Sequence, residues 1–210
     1  MIQEVDLQVK QMVQRLPSKL TDGQKPPREK NPRKTPWRNE PPRLRDDLYR
    51  AFGVDLTQVP GINTLTAQML LTEVGPDLSR FPTAAAFFSW LRLCPNPRIS
   101  GGQILSSTTR PTKNRLALAL RMAAQGIHRS QSFLGDYFRR MKSRMGTPKA
   151  MTAVAHKLAR IVYHLITTQH EYDASVFQHL EKRNQERKRA RLQVQAKELG
   201  FQIVPLEVVP

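Results

Sequence analysis

Between Met151 and Leu165 the apolar residues Met151, Val154, Ala155, Leu158, Ile161, Val162 and Leu165 recur every three or four positions. A strand would place alternate residues on one face, so this period excludes a strand and specifies an amphipathic helix over 147–168. Such a stripe must be covered by other helices. Lys149, His156, Lys157, Arg160 and His164 fall elsewhere around that helix. The rest of the region supplies the partners. Leu44, Leu48 and Phe52 are spaced i, i+4, i+8, and further helices are expected over 65–74, 114–128 and 133–145. Residues 82–93, apolar nearly all round through Phe87, Phe88, Trp90 and Leu91, are expected to form the central core helix. No alternating strand stands out before Phe201-Gln202-Ile203-Val204. The fold class is mainly α, a compact helical domain over 44–173.

Three appendages flank this domain. Ile2, Val5, Val9, Met12 or Val13 and Leu16 mark one helical stripe in residues 1–20, too short to establish a coiled coil. Residues 21–43 are rich in Pro, Lys and Arg with few aliphatics, so they cannot bury enough surface to offset ordering entropy and read as a basic linker. Trp37 within it either stacks on a base or docks loosely. Residues 174–210 form a basic tail, in which Lys182, Arg183, Arg187, Lys188, Arg189 and Arg191 crowd one short run. That run is a solvated helix or a phosphate-contacting arm.

With 34 Lys and Arg against 17 Asp and Glu, the formal net charge is +17, which points to a polyanionic partner, nucleic acid above all. The single cysteine, Cys94, excludes an internal disulfide and a multi-cysteine zinc site. Five histidines offer no three-ligand spacing with an acid, so no metal site is expected. No apolar run reaches the roughly 20 residues of a membrane span, and no signal-peptide pattern opens the chain. A cytoplasmic protein with no membrane partner follows as the expectation. Asp46-Asp47 read as a charge pair in the first turn of a helix.

Two segments can carry chemistry. Pro60-Gly61-Ile62-Asn63-Thr64 lies between helices and is similar to the turn of a helix-hairpin-helix, where exposed amides at a helix start contact a DNA phosphate. Asn63 occupies the second glycine position, and Asn tolerates a left-handed backbone. The alternative is an ordinary interhelix turn.

The second runs from Pro95 to Arg121. Ser100-Gly101-Gly102 is flanked by Arg98, Arg110, Lys113 and Arg115, and Asn114 opens the following helix. A glycine pair permits close backbone approach to an anion, and a serine hydroxyl can attack a phosphodiester if cations stabilise the phosphoryl oxygens and a base takes the proton. No His, Asp or Glu lies between Arg92 and Arg121 to act as that base. The other reading is a flexible Ser-Gly-Gly loop.

Pro95, Ser100-Gly101-Gly102, Asn114 and Arg121, together with Pro60-Gly61-Ile62, Glu73-Val74-Gly75, Asp77, Arg80-Phe81, Gly146, Lys149-Ala150 and the helix Ala153 to Leu165, occur in an order that resembles the C-terminal serine domain of DEDD-type insertion-sequence transposases. These are the bridge-RNA-guided family related to Piv-type invertases. The resemblance covers about residues 56–172. It implies transposition or site-specific recombination of DNA, with Ser100 as the strand-exchange nucleophile. The expected DNA- or RNA-contacting residues are Gly61, Asn63, Thr64, Arg98, Gly101, Gly102, Arg110, Lys113, Asn114, Arg115, Arg121, Lys157 and Arg160. It also implies a guide RNA, a homo-oligomer in the full-length form, and Mg2+ held by an Asp-Glu-Asp-Asp set on a separate N-terminal domain. That set has no counterpart here, so no cofactor is expected on this chain, which is read as a truncated copy or a subunit that binds nucleic acid without cleaving it alone. The rival readings are a non-catalytic helix-hairpin-helix binding protein and an RNA-associated structural protein.

Overall fold

The computed structural model describes residues 18–20, 24–27 and 43–201. The chain divides into two units, one up to Tyr172 and one from Asp173. The first contains α1 (Leu44–Phe52), α2 (Thr64–Glu73), α3 (Ala84–Trp90), β1 (Arg98–Ser100), β2 (Gln103–Ser106), α4 (Arg115–Gly126), α5 (Phe133–Met145) and α6 (Thr147–Thr168). The fold is mainly α. The helix expected in residues 1–20 falls largely outside the described residues, and 18–20 are not helical. Most of the linker, Trp37 included, also lies outside them.

The central element is α6, against which α3, α4 and α5 pack. Ala150, Val154, Ala155, Leu158 and Ala159 on it are fully shielded from solvent. Its buried face is rotated slightly from the expected stripe: Ala159 and Ile166 point inward, whereas Met151 and Ile161 are only half-buried. Pro148 pre-sets the first turn, where its missing N–H costs nothing. At the other end Gln169 turns left-handed at φ 56. Its amide donates to Phe52 O at 3.0 Å, which ties the end of α1 to the end of α6.

The central position expected for residues 82–93 is corrected. That segment yields only the seven residues of α3. Thr83 caps it by accepting from Ala86 N at 3.2 Å, and Arg92, left-handed at φ 52, ends the path. Phe87 and Leu91 are nevertheless fully buried, and Phe87 and Phe88 pack on Tyr163 and on the His156 ring of α6. The segment was apolar enough to be buried, but not long enough to organise the others.

The absence of a strand before Phe201 is likewise corrected. β1 and β2 pair antiparallel, with Ile99 opposite Ile104, Ser100 opposite Gln103, and an irregularity between Arg98 and Ile99. Phe201 itself lies in coil, and residues 202–204 fall outside the described ones.

The second unit is a short 3-10 turn, Ala174–Phe177, followed by α7 (Gln178–Glu198). The basic run 181–191 lies inside α7, and its described side chains are exposed.

Candidate nucleic-acid interface

The hairpin presents Ser100. Its base is closed by a bridge between Pro95 and Thr109 and by Asn96 N donating to Thr108 O at 3.1 Å. Its tip is Gly101-Gly102, with φ 55 and φ 77. Positive φ at both central residues is the two-residue turn that matches strand twist and that glycine adopts without strain. A Cβ built at either glycine meets nothing within 4 Å. The glycines are therefore required by the turn rather than by internal crowding, and the space above them is open to a ligand. Ser100 is exposed beside this tip. Among the described residues its hydroxyl has no side-chain hydrogen-bond partner, so no base is in place to take its proton.

The chain returns from the hairpin past a groove of about 930 Å3, lined by Ser89, Trp90, Arg92, Arg110, Thr112 and Lys113 among others. Arg92 Nη1 donates to Pro111 O at 2.7 Å, and Arg110 Nη2 to Asn96 Oδ1 at 3.4 Å. Lys113 is exposed. Asn114, whose backbone N donates to Thr112 Oγ1, spends its side chain capping α4 by accepting from Ala117 N at 3.0 Å. Arg92 and Trp90 were not among the sequence-derived site residues. The spacing Trp90-x-Arg92 just before Cys94-Pro95 was the available signal. Cys94 is half-buried, and burial raises its thiol pKa.

Arg98, Ser100, Gly101 and Gly102 share the hairpin, while Arg110, Lys113 and Asn114 line the groove. Arg115, one residue on, faces Glu73 at 3.8 Å. Gly61, Asn63 and Thr64 are elsewhere. A Cβ on Gly61 would lie 2.5 Å from Ile127 and 3.0 Å from Ala123 O, at the far end of α4. Glu73 beside Arg115 at one end and Gly61 beside Ile127 at the other make α2 and α4 antiparallel. The Pro60-Gly61-Ile62 turn and the groove thus occupy opposite ends of that helix pair. Asn63 is extended, at φ −113 and ψ 174, and not left-handed. It caps α2, accepting from Thr66 N at 2.8 Å and Thr66 Oγ1 at 2.9 Å.

Arg121 is half-buried on α4, and Arg160 is exposed on α6. Lys157 is committed to internal packing. Its ammonium lies 5.6 Å from the Phe133 ring centre and 5.5 Å from that of Tyr137. Burial, with Arg160 and Arg140 adding repulsion, lowers its pKa. His156 is lowered in the same way, first by burial and then by Arg160 and Lys157.

Among the described residues no three His, Cys, Asp or Glu side chains converge on a point that could hold a metal ion. They do not fit the carboxylate set that a magnesium site requires. Also among them, no helix is long and apolar enough to cross a membrane.

Residues 55–139 match the model of the transposase family described as Transposase IS116/IS110/IS902 family. The match supports a transposase and spans both the Pro60-Gly61-Ile62 turn and the Ser100 hairpin. No curated protein matches the chain.

Proposed function

We infer that this chain is the serine-bearing, DNA-binding part of a transposase acting in the cytoplasm. The observation that carries the reading is the family match over 55–139, which contains the whole of a projecting hairpin with an exposed Ser100. The net charge of +17 supports a polyanionic partner.

In this reading DNA is the substrate, a guide RNA and a second copy of the protein are partners, and the reaction is phosphoryl transfer. Ser100 Oγ attacks the phosphorus of a strand. An Oγ–P bond forms, a P–O bond to the strand breaks, and a sugar hydroxyl leaves. The phosphoserine link conserves the bond for religation when a new sugar hydroxyl attacks it. Arg98, Arg110 and Lys113 neutralise the phosphoryl oxygens. The base that takes the Ser100 proton, and the carboxylates that hold Mg2+, come from outside the described residues. The Pro60-Gly61-Ile62 turn serves as a separate phosphate contact of helix-hairpin-helix type. The missing base favours one rival, a non-catalytic nucleic-acid-binding protein using the same turn and basic residues.

The test is binding of the full chain to labelled mixed-sequence duplex DNA between about 50 and 200 mM salt, with strand cleavage followed in parallel. Salt-dependent binding without cleavage by the chain alone is expected. Absence of binding throughout would remove the reading. Supplying the metal-binding carboxylates in trans then separates the rivals: strand exchange that Ser100→Ala abolishes supports the nucleophile, and exchange that survives the substitution excludes it.

A further inference from the structure

We propose that the groove between the end of α3 and the Pro111–Asn114 segment holds an unpaired nucleotide of a single strand, with its base against Trp90 and its phosphates on Arg92, Arg110 and Lys113. The inference deepens the nucleic-acid reading above and rests on it.

Four observations converge. The groove is a shallow one open to solvent and, at about 930 Å3, has room for a nucleotide. Its lining holds three cationic side chains and none that is acidic among the described residues. An indole forms part of the wall: Trp90 is half-buried, beside the Phe87 ring at 6.2 Å with an interplanar angle of 17° and the Phe81 ring at 5.4 Å. The exposed Arg80 guanidinium lies 5.7 Å from its centre, where a base entering the groove would displace it or stack against it. Finally, Arg92, left-handed at φ 52 where it ends α3, is exposed at the edge of the groove. Its guanidinium donates to Pro111 O at 2.7 Å at the groove wall.

The shape selects a single strand over a duplex. Paired bases are stacked inside a double helix and cannot lay a face on an indole in a concave wall. An unpaired base can be splayed out and stacked, while its phosphates lie along the cations. Ser89 and Thr112 add hydroxyls without charge. The groove neighbours the hairpin through the Arg110–Asn96 contact, so a strand seated here leads towards Ser100.

The experiment measures the affinity of the full chain for three probes of about ten nucleotides: oligo(dT), an abasic strand of equal phosphate number, and a duplex. The wild-type chain should bind oligo(dT) about tenfold tighter than the abasic strand, the effect of one stacked base. Trp90→Leu should erase that difference, and Trp90→Phe should keep it. Lys113→Gln, at an exposed position, should weaken both single strands equally by at least about threefold. Should Trp90→Leu fail to fold by circular dichroism, the wild-type comparison and Lys113→Gln still decide. Equal affinity for oligo(dT) and the abasic strand, or no loss with Lys113→Gln, overturns the proposal while duplex binding leaves the broader reading intact. No binding to any probe overturns both.

Discussion

Gly61 and Ile127 are in contact across the antiparallel pair α2 and α4: a methyl group placed on Gly61 would sit 2.5 Å from both Cγ1 and Cδ1 of Ile127. Gly61 also holds φ +90, a conformation that L side chains rarely adopt. Gly61→Ala therefore combines overpacking with backbone strain and should lower stability by about 2 kcal/mol. For a chain of this size the midpoint of thermal unfolding should fall by roughly 4–8 °C. Combining it with Ile127→Val removes Cδ1 but leaves Cγ1, Ala123 O and the φ in place, so recovery in urea denaturation should be partial. Full recovery would show that crowding alone fixes the glycine.

Asp55 is 2% exposed and serves as a hub. It accepts from Thr57 N at 3.0 Å, Thr57 Oγ1 at 2.6 Å and Gln58 Nε2 at 3.0 Å, and pairs with Arg45. Its own N–H donates to Glu171 at 3.3 Å, which joins the start of the turn region to the segment after α6. Asp55→Ala leaves the half-buried Arg45 guanidinium without its carboxylate and should cost about 3 kcal/mol in urea denaturation. A loss below about 1 kcal/mol would mean that water replaces the carboxylate.

His156 sets one part of the pH dependence. Burial against Phe88, whose ring centre is 4.7 Å away, holds its pKa below the ordinary 6.5, with Arg160 and Lys157 adding to the effect. Below pH 6.5 the unfolded chain binds a proton that the folded chain refuses, so stability falls as pH drops through that window. Glu171 acts in the opposite sense. Burial raises its pKa above the ordinary 4.5, so the folded chain holds the extra proton and stability falls as pH rises past 4.5. His156→Gln should shrink the loss of thermal stability between about pH 7.5 and 5.5, and Glu171→Gln should shrink the loss as pH rises from about 4.5. An unchanged difference in His156→Gln would rule out this histidine as the sensor.

Ser100→Ala should be silent in every measurement except strand exchange. Ser100 is exposed and lacks a side-chain partner among the described residues, so unfolding should shift by less than about 0.5 kcal/mol. Affinity for duplex DNA and its salt slope should stay within about twofold of wild type. A large loss of affinity would make the hydroxyl a binding contact instead of a nucleophile.

The two longest helices of the first unit were legible to the residue. The spacing over 133–145 and 147–168 is strong, and the punctuation is explicit: Ser132 caps α5, Gly146 stands between the two, and Pro148 opens α6. The hairpin was not read because its strands have only three and four residues and bury neither face, so Ile99 and Ile104, at 63% and 67% exposed, give no alternation. The readable signal was the two-residue Gly101-Gly102 loop between Ile-Ser and Gln-Ile. The candidate site was half legible. Arg98, Arg110 and Lys113 stand at the hairpin and groove, whereas Lys157 is turned onto Phe133 and Tyr137 by a tertiary contact that no local pattern announces. Arg92 was signalled only by the spacing Trp90-x-Arg92 before Cys94-Pro95, and its left-handed backbone leaves no mark in the sequence.

The antiparallel setting of α2 and α4 also imposes a spacing on anything bound at both ends. Ten to twelve helical residues at about 1.5 Å each hold the Gly61 turn roughly 15–18 Å from the groove. On a strand that advances about 3.4 Å per nucleotide, that is four or five steps, close to half a turn of B-form DNA. A phosphate gripped at the turn and a nucleotide of the same strand seated in the groove would then lie on opposite sides of a straight duplex, so a single strand reaches both only where the helix is bent or opened.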